Sequence, residues 1–287
     1  MDSSFEYHRP ASLSEACELL SRLGPQALPL AGGTDILVDL RRGARDPQHL
    51  VSLADLKELQ QIVLEDGELR IGALVTPARL EASGAVGSAR PELLDTVEGF
   101  GTPQVRHRAT VGGNLCSAAS CGDLAPLLVV LGARAVVAGP KERRELPLEA
   151  LFRDHRRTVL EPGQILVEVV VPARGSGEGA AYRAFGLRAA VFITVAGVAA
   201  FLRLEDGLCR AARIALGAVA PTPVRVPAAE GRLVGGPLDE AAIGEAARAA
   251  REAAAPISDV RGSAEHRREL VEAMCARALR AAEERAR

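Results

Sequence analysis

Two Gly-Gly pairs, Gly32-Gly33 and Gly112-Gly113, constrain this chain more than any other feature. The first lies in Leu30-Ala31-Gly32-Gly33-Thr34-Asp35 and the second in Thr110-Val111-Gly112-Gly113-Asn114. Each pair follows an apolar, strand-like residue and precedes small polar residues. Glycine lets a backbone approach a ligand closely and turn its N–H groups inward. Two such segments can clasp one diphosphate, because many amide donors share the charge without a lysine. Thr34, Thr110 and Asn114 add side-chain donors beside those amides. A tight turn accounts for either pair alone; two pairs of matching form favour a cradle. The Gly-x-Gly-x-x-Gly fingerprint is absent, and so is the P-loop pattern. A cofactor held here is held by a different architecture.

The 287 residues suffice for two or three domains. A net charge of −2 gives no general attraction to nucleic acid or anionic membranes. The basic run Arg153 to Arg157 reads as a solvated loop. Aromatics are 3% of the chain and tryptophan is missing, so base-stacking platforms are not expected. No apolar run reaches the ~18 residues that span a bilayer. Met1-Asp2-Ser3-Ser4 has neither a basic nor an apolar leader region, and the expected location is the cytoplasm. Five cysteines without a Cys-x-x-Cys fit a reducing compartment and suit neither a disulfide scaffold nor an iron–sulfur domain. Cys17 and Cys275 fall on apolar helix faces; Cys116 and Cys121 read as small packing residues, with redox or metal roles the less favoured alternative. His8, His49, His107, His155 and His266 show no ligand spacing, so no metal site is expected. Neither Gly-x-Ser-x-Gly nor His-Glu-x-x-His occurs, and no side chain is read as catalytic.

The hydrophobic pattern predicts an α+β chain in three parts. Residues 1–57 open with a capping box, Ser12-x-x-Glu15, and a helix bearing Leu13, Ala16, Cys17, Leu20 and Leu23 on one face. Gly24-Pro25 stops it. Strands follow at Leu28–Ala31 and Leu50–Leu53; Ile36–Leu40 fits strand or helix. Residues 58–175 hold strands at 69–72, 133–138 and 165–171. Thr76-Pro77 starts a short helix, and Asp123 precedes an apolar helix over 124–131 as its cap or as an acceptor for a ribose or adenine group. The glycine-rich stretch 173–179 marks the last boundary. Residues 176–287 predict three antiparallel strands, 180–187, 193–204 and 210–218, then two Ala-rich helices near 239–254 and 264–284.

The run Phe100-Gly101-Thr102-Pro103-Gln104-Val105-Arg106, continuing through Ala109-Thr110-Val111-Gly112-Gly113-Asn114 to Asp123, resembles the signature of the FAD-binding medium subunit of molybdenum hydroxylases. That family includes the flavoproteins of carbon monoxide dehydrogenase and the flavin part of xanthine dehydrogenase. Leu30 to Ile36 and the opening Phe5-Glu6-Tyr7-His8-Arg9-Pro10 share the likeness, which extends over the whole chain. It implies a two-part FAD-binding region of the vanillyl-alcohol oxidase type and a small C-terminal α+β domain. It implies FAD, with the diphosphate between Pro29, Leu30, Ala31, Gly32, Gly33, Thr34, Asp35 and Ile36 on one side and Thr110 to Asn114 on the other; the two glycine loops, and no His or Cys that clearly belongs at the flavin ring, lead us to expect noncovalent attachment. Phe100 and Leu166 would contact the cofactor, Asp123 its adenosine end. Arg183 is a candidate for the flavin end, although Val191 stands where relatives often carry an acid. The extra cysteine-bearing insert of the 4-hydroxybenzoyl-CoA reductase flavin subunit is absent.

The resemblance further implies partners: a large molybdenum-cofactor subunit and a small [2Fe-2S] subunit, assembled as a dimer of heterotrimers. Electrons would pass from partner iron–sulfur clusters to FAD and on to NAD, a quinone or another acceptor. The alternatives are a self-sufficient flavin oxidase or reductase on the same fold and a flavin-free scaffold subunit.

Overall fold

The computed structural model describes residues 5–188 and 191–287; Met1–Ser4, read above as carrying no leader, lies outside them. Among the described residues, three larger sheets follow one another along the chain, with a small two-stranded hairpin besides. The first is a small parallel sheet in which His49–Ser52 runs between Glu6–His8 and Ala27–Leu30. The helix Leu13–Leu23 covers it. Ser12 accepts the Glu15 amide at its N-cap, and Ala16, Cys17 and Leu20 face the core. Ile36–Arg41, ambiguous by periodicity, is a helix.

The second sheet has five antiparallel strands, ordered Ile62–Glu65, Glu68–Gly72, Ile165–Val171, Arg134–Ala138 and Arg143–Pro147. The central strand, Ile165–Val171, is buried on both faces except at Glu168 and reads as an apolar run interrupted by that one residue, which pairs with Arg70 and Arg143. Its edge strands are largely exposed: Ile62–Glu65 is short and apolar with Val63 and Leu64 open to solvent, and Arg143–Pro147 is mostly charged, so neither shows a strand's alternating pattern.

The C-terminal sheet is antiparallel, in the order Glu178–Phe185, Ala196–Glu205, Leu208–Gly217 and Val224–Arg225. One face packs on the helices Glu240–Ala253 and Ala264–Ala286 through Val198, Ala200, Leu202 and Ile214. The other packs, through Ala199 and Phe201, in the same core as the helix Leu124–Val130. All seven residues of that helix are buried, which is why it is apolar on every side. It joins the second sheet to the third, and its N-terminus places Asp123 at their junction.

The 173–179 stretch is held in place although its composition suggests a free linker. Arg90, almost fully buried, donates to the Pro172 and Ala173 carbonyls. Arg174 donates to the Glu178 and Arg285 carbonyls. Among the described residues, no helix is long and apolar enough to cross a membrane.

Candidate functional site

The two Gly-Gly segments meet. The chain leaves the strand Ala27–Leu30 into Ala31–Asp35, and this loop lies directly on the backbone preceding the second pair. A Cβ on Gly32 would collide with the Arg108 carbonyl and lie 3.1 Å from the Ala109 Cα. Gly33 takes φ +79°, open to glycine at little cost. Together they line one cleft of about 670 Å³. Pro29, Ala31, Gly32, Gly33, Thr34, Asp35 and Ile36 supply one wall; Thr110 and Gly113 face them. An adjoining apolar hollow shares Pro29, Ala31 and Gly113 and adds Gly112 and Leu166. Leu30 and Val111 line neither.

The two segments differ in kind, contrary to their matching sequence. Residues 111–117 are an α-helix, capped by the Thr110 hydroxyl, which accepts the Gly113 amide at 2.9 Å. The Val111 and Gly112 amides donate to the Val75 and Ala73 carbonyls. These donors are spent on the fold, so Gly112 serves close packing: a Cβ there would lie 2.7 Å from the Ala73 Cβ. The first loop spends fewer of its amide donors on the fold. Among the described residues, no protein acceptor takes the N–H groups of Gly32, Gly33, Thr34 or Asp35.

Positive charge reaches the cleft from places that sequence reading passed over. Arg45 and Arg156 both line it, and both pair with Asp39, Arg45 at 3.4 Å. Arg156 belongs to the basic run taken above for a solvated loop. It sits at the tip of the hairpin Phe152–Asp154/Arg157–Thr158, and its amide donates to the Ala118 carbonyl, anchoring the tip over the cleft. No local pattern marks one arginine of such a run. Cys116 lies on the cleft wall, and burial pushes its thiol up to about 12. Burial, then the neighbouring Asp123 charge, also raises Cys121. Neither sulfur is a ready thiolate nucleophile or redox relay.

A second cleft, about 820 Å³, opens where the second and third sheets meet. Asp123 and Arg183 line it with Asp95, Gly99, Tyr182 and Phe192. Phe100 is buried beside it and pairs with Phe192 through a backbone bridge. Asp123 occupies the N-cap position of the apolar helix but makes no cap bond. Instead its Oδ1 accepts the Tyr182 hydroxyl at 2.7 Å and the Thr194 hydroxyl at 2.5 Å. Burial raises its carboxyl above the usual value, while those two hydroxyls pull the other way. Arg183 donates to Asp95 at 3.1 Å and to the Tyr182 carbonyl, so its charge is already matched. Asp123 and Arg183 were expected at opposite ends of one cofactor. The structure places both on the lining of this one cleft.

Asn114 bridges the two regions. It follows Gly113 of the first cleft, and a Cβ on Gly122, beside Asp123, would lie 3.3 Å from its Oδ1. That Oδ1 is buried without a hydrogen-bond partner. An orphaned acceptor costs ~1–3 kcal/mol unless a donor arrives. The unpaired loop amides, the flanking arginines and this waiting acceptor fit a diphosphate-bearing, hydroxyl-rich ligand such as FAD.

Comparison with known proteins agrees with this geometry. Residues 3–174 match the family model described as the FAD binding domain in molybdopterin dehydrogenase. Residues 180–282 match the CO dehydrogenase flavoprotein C-terminal domain. The chain is 34% identical to the carbon monoxide dehydrogenase medium chain of Afipia carboxidovorans, covering 99% of this chain and 98% of that one. It is also 34% identical to the xanthine dehydrogenase FAD-binding subunit of Escherichia coli O157:H7, covering 93% and 92%. Reconstituted CO dehydrogenase from Oligotropha carboxidovorans superposes with a TM-score of 0.95 at 34% identity over 98% of each chain. Quinoline 2-oxidoreductase from Pseudomonas putida 86 gives 0.93 at 32%, covering 99% and 98%. The chain belongs to the FAD-binding flavoprotein family of the molybdenum hydroxylases and is a flavin-dependent oxidoreductase subunit.

Proposed function

We propose that this chain carries noncovalent FAD within a complex containing a large molybdenum-cofactor subunit and a small [2Fe-2S] subunit, arranged as a dimer of heterotrimers. In this reading residues 1–57 and 58–175 enclose the cofactor, and residues 176–287 close the second cleft. The observation that carries it is the convergence of two distant Gly-Gly segments on one cleft whose loop amides have no protein acceptor. Gly32 to Asp35 hold the diphosphate, with Arg45 and Arg156 supplying charge. Thr110 and Gly113 form the facing wall, and Leu166 offers an apolar contact. Asn114 Oδ1 accepts from the ligand. One end of the cofactor reaches the second cleft, where both hydroxyl donors bond to Oδ1 of Asp123 and its Oδ2 is available to a ligand donor. Bound flavin supplies the redox chemistry, accepting electrons from partner clusters and yielding them to an external acceptor. Protein side chains bind and orient; none is needed as a general base. Five free thiols suit a reducing, cytoplasmic setting.

The test is analysis of the natively copurified protein for flavin, molybdenum and iron, followed by acid precipitation. FAD with molybdenum and iron, and a yellow supernatant after precipitation, is the expected outcome. FAD alone with substrate turnover points to a self-sufficient flavoenzyme. Colourless protein points to a scaffold. Colour retained in the precipitate overturns noncovalent attachment.

A further inference from the structure

Away from both clefts, the parallel sheet gathers three potential metal donors that the sequence separates. Glu6 and His8 are two residues apart on one strand and therefore share a face. Parallel pairing sets Glu6 directly beside His49 on the central strand. His8 Nε2 lies 3.1 Å from His49 Nδ1, and Glu6 Oε2 lies 3.3 Å from His49 Nδ1 and 3.8 Å from His8 Nε2. The imidazoles are 18% exposed and the carboxylate 66%, so the group is most open to solvent at Glu6.

These separations are close to those of ligands sharing one ion. Bonds of about 2.0–2.2 Å at tetrahedral angles put donor atoms roughly 3.3–3.5 Å apart. The three distances define a triangle whose centre is about 2.0 Å from every corner. An ion set slightly outside that plane meets all three donors without side-chain rearrangement. Two imidazoles and one carboxylate suit zinc, cobalt or nickel and do not suit magnesium or calcium, which take oxygen cages. The donor set leaves a fourth position to water.

We propose that Glu6, His8 and His49 form a binding site for one zinc-class divalent ion, stapling the N-terminal edge strand to the centre of the first sheet. A three-residue edge strand is otherwise held by few backbone bonds, and a shared ion ties it to a strand 41 positions away. Hydrogen bonding between the imidazoles, with Glu6 pairing to them when they are protonated, is the metal-free alternative that the titration tests.

The experiment uses the full, untagged, FAD-loaded chain, stripped with chelator and desalted. Zinc chloride is titrated by calorimetry, and cobalt chloride by visible absorption. The expected result is one equivalent of zinc and a low-symmetry cobalt spectrum in the wild type. His8→Ala/His49→Ala loses both signals, and Glu6→Gln binds at least tenfold more weakly. Cys116→Ser/Cys121→Ser binds as the wild type does. Zinc raises the thermal midpoint of the wild type and not that of the double variant. Glu6 is largely exposed, so its glutamine variant folds and keeps the test decisive if the double variant does not. Absence of wild-type uptake, or uptake unchanged in the Glu6 and histidine variants, overturns the site.

Discussion

Gly32 has no room for a side chain, because its Cβ would enter the Arg108 carbonyl. Gly32→Ala must push two backbone segments apart at the cleft floor. Overpacking of this kind costs ~1–3 kcal/mol. The expected variant folds with a lowered urea midpoint and loses most of its flavin; full flavin content would place the ligand elsewhere. Asp123 gives a pH signature. Its folded carboxyl titrates above the usual 3.8 because burial outweighs the hydroxyl bonds. The native chain therefore binds this proton more tightly than the unfolded chain. The resulting stability is fully present below the unfolded value and is lost as pH rises through the folded one. Asp123→Asn keeps an acceptor for Tyr182 and Thr194 and abolishes that slope. Urea midpoints of the flavin-free proteins should shift in the variant's favour as pH rises above the unfolded value of 3.8 and through the raised folded one. A constant difference would refute it.

At the scale of elements, the contact between the second sheet region and the C-terminal domain is anchored by Asp95. Its carboxylate accepts from Arg285 at 2.7 and 2.8 Å, from Arg183 at 3.1 Å and from the Tyr182 amide at 3.1 Å. The Asp95 bond keeps the Arg285 guanidinium charged against the effect of burial. Asp95→Ala leaves a buried amide and two arginines short of a partner, at a cost of ~1–3 kcal/mol. Unfolding followed by fluorescence and circular dichroism should show an earlier C-terminal transition; one unshifted transition would assign the anchoring elsewhere. The individual elements were largely legible. The capped first helix, the buried strand Ile165–Val171 and the two Ala-rich helices follow from period, caps and breakers. The second Gly-Gly pair was not: its glycines look like a loop but form the first turns of a capped helix. The deciding bonds, to Val75 and Ala73, come from a segment nearly 40 residues away.

For the whole molecule, the expected outcome is dependence on partners. The chain provides a cleft for one cofactor and, among the described residues, no cysteine cluster for iron–sulfur chemistry. Purified FAD-loaded chain, offered candidate substrates and an artificial acceptor, should oxidise none until the companion subunits are added. Rapid oxidation by the chain alone would reassign it as a self-sufficient flavoenzyme. By itself the sequence determined the α+β class, the glycine segments, their likeness to a flavin-binding family and the absence of a hydrolytic motif. These are properties of neighbouring residues or short spacings, which covalent connection and local periodicity preserve. Only the tertiary structure decided that Arg45 and Arg156 meet at Asp39, that Asp123 answers to Tyr182 and Thr194, and that His8 lies against His49. Except for Arg45 and Asp39, six positions apart, those encounters join residues about 40 positions apart or more. Their distance is set by strand register and by the burial of apolar faces, and no local pattern in the chain carries that information.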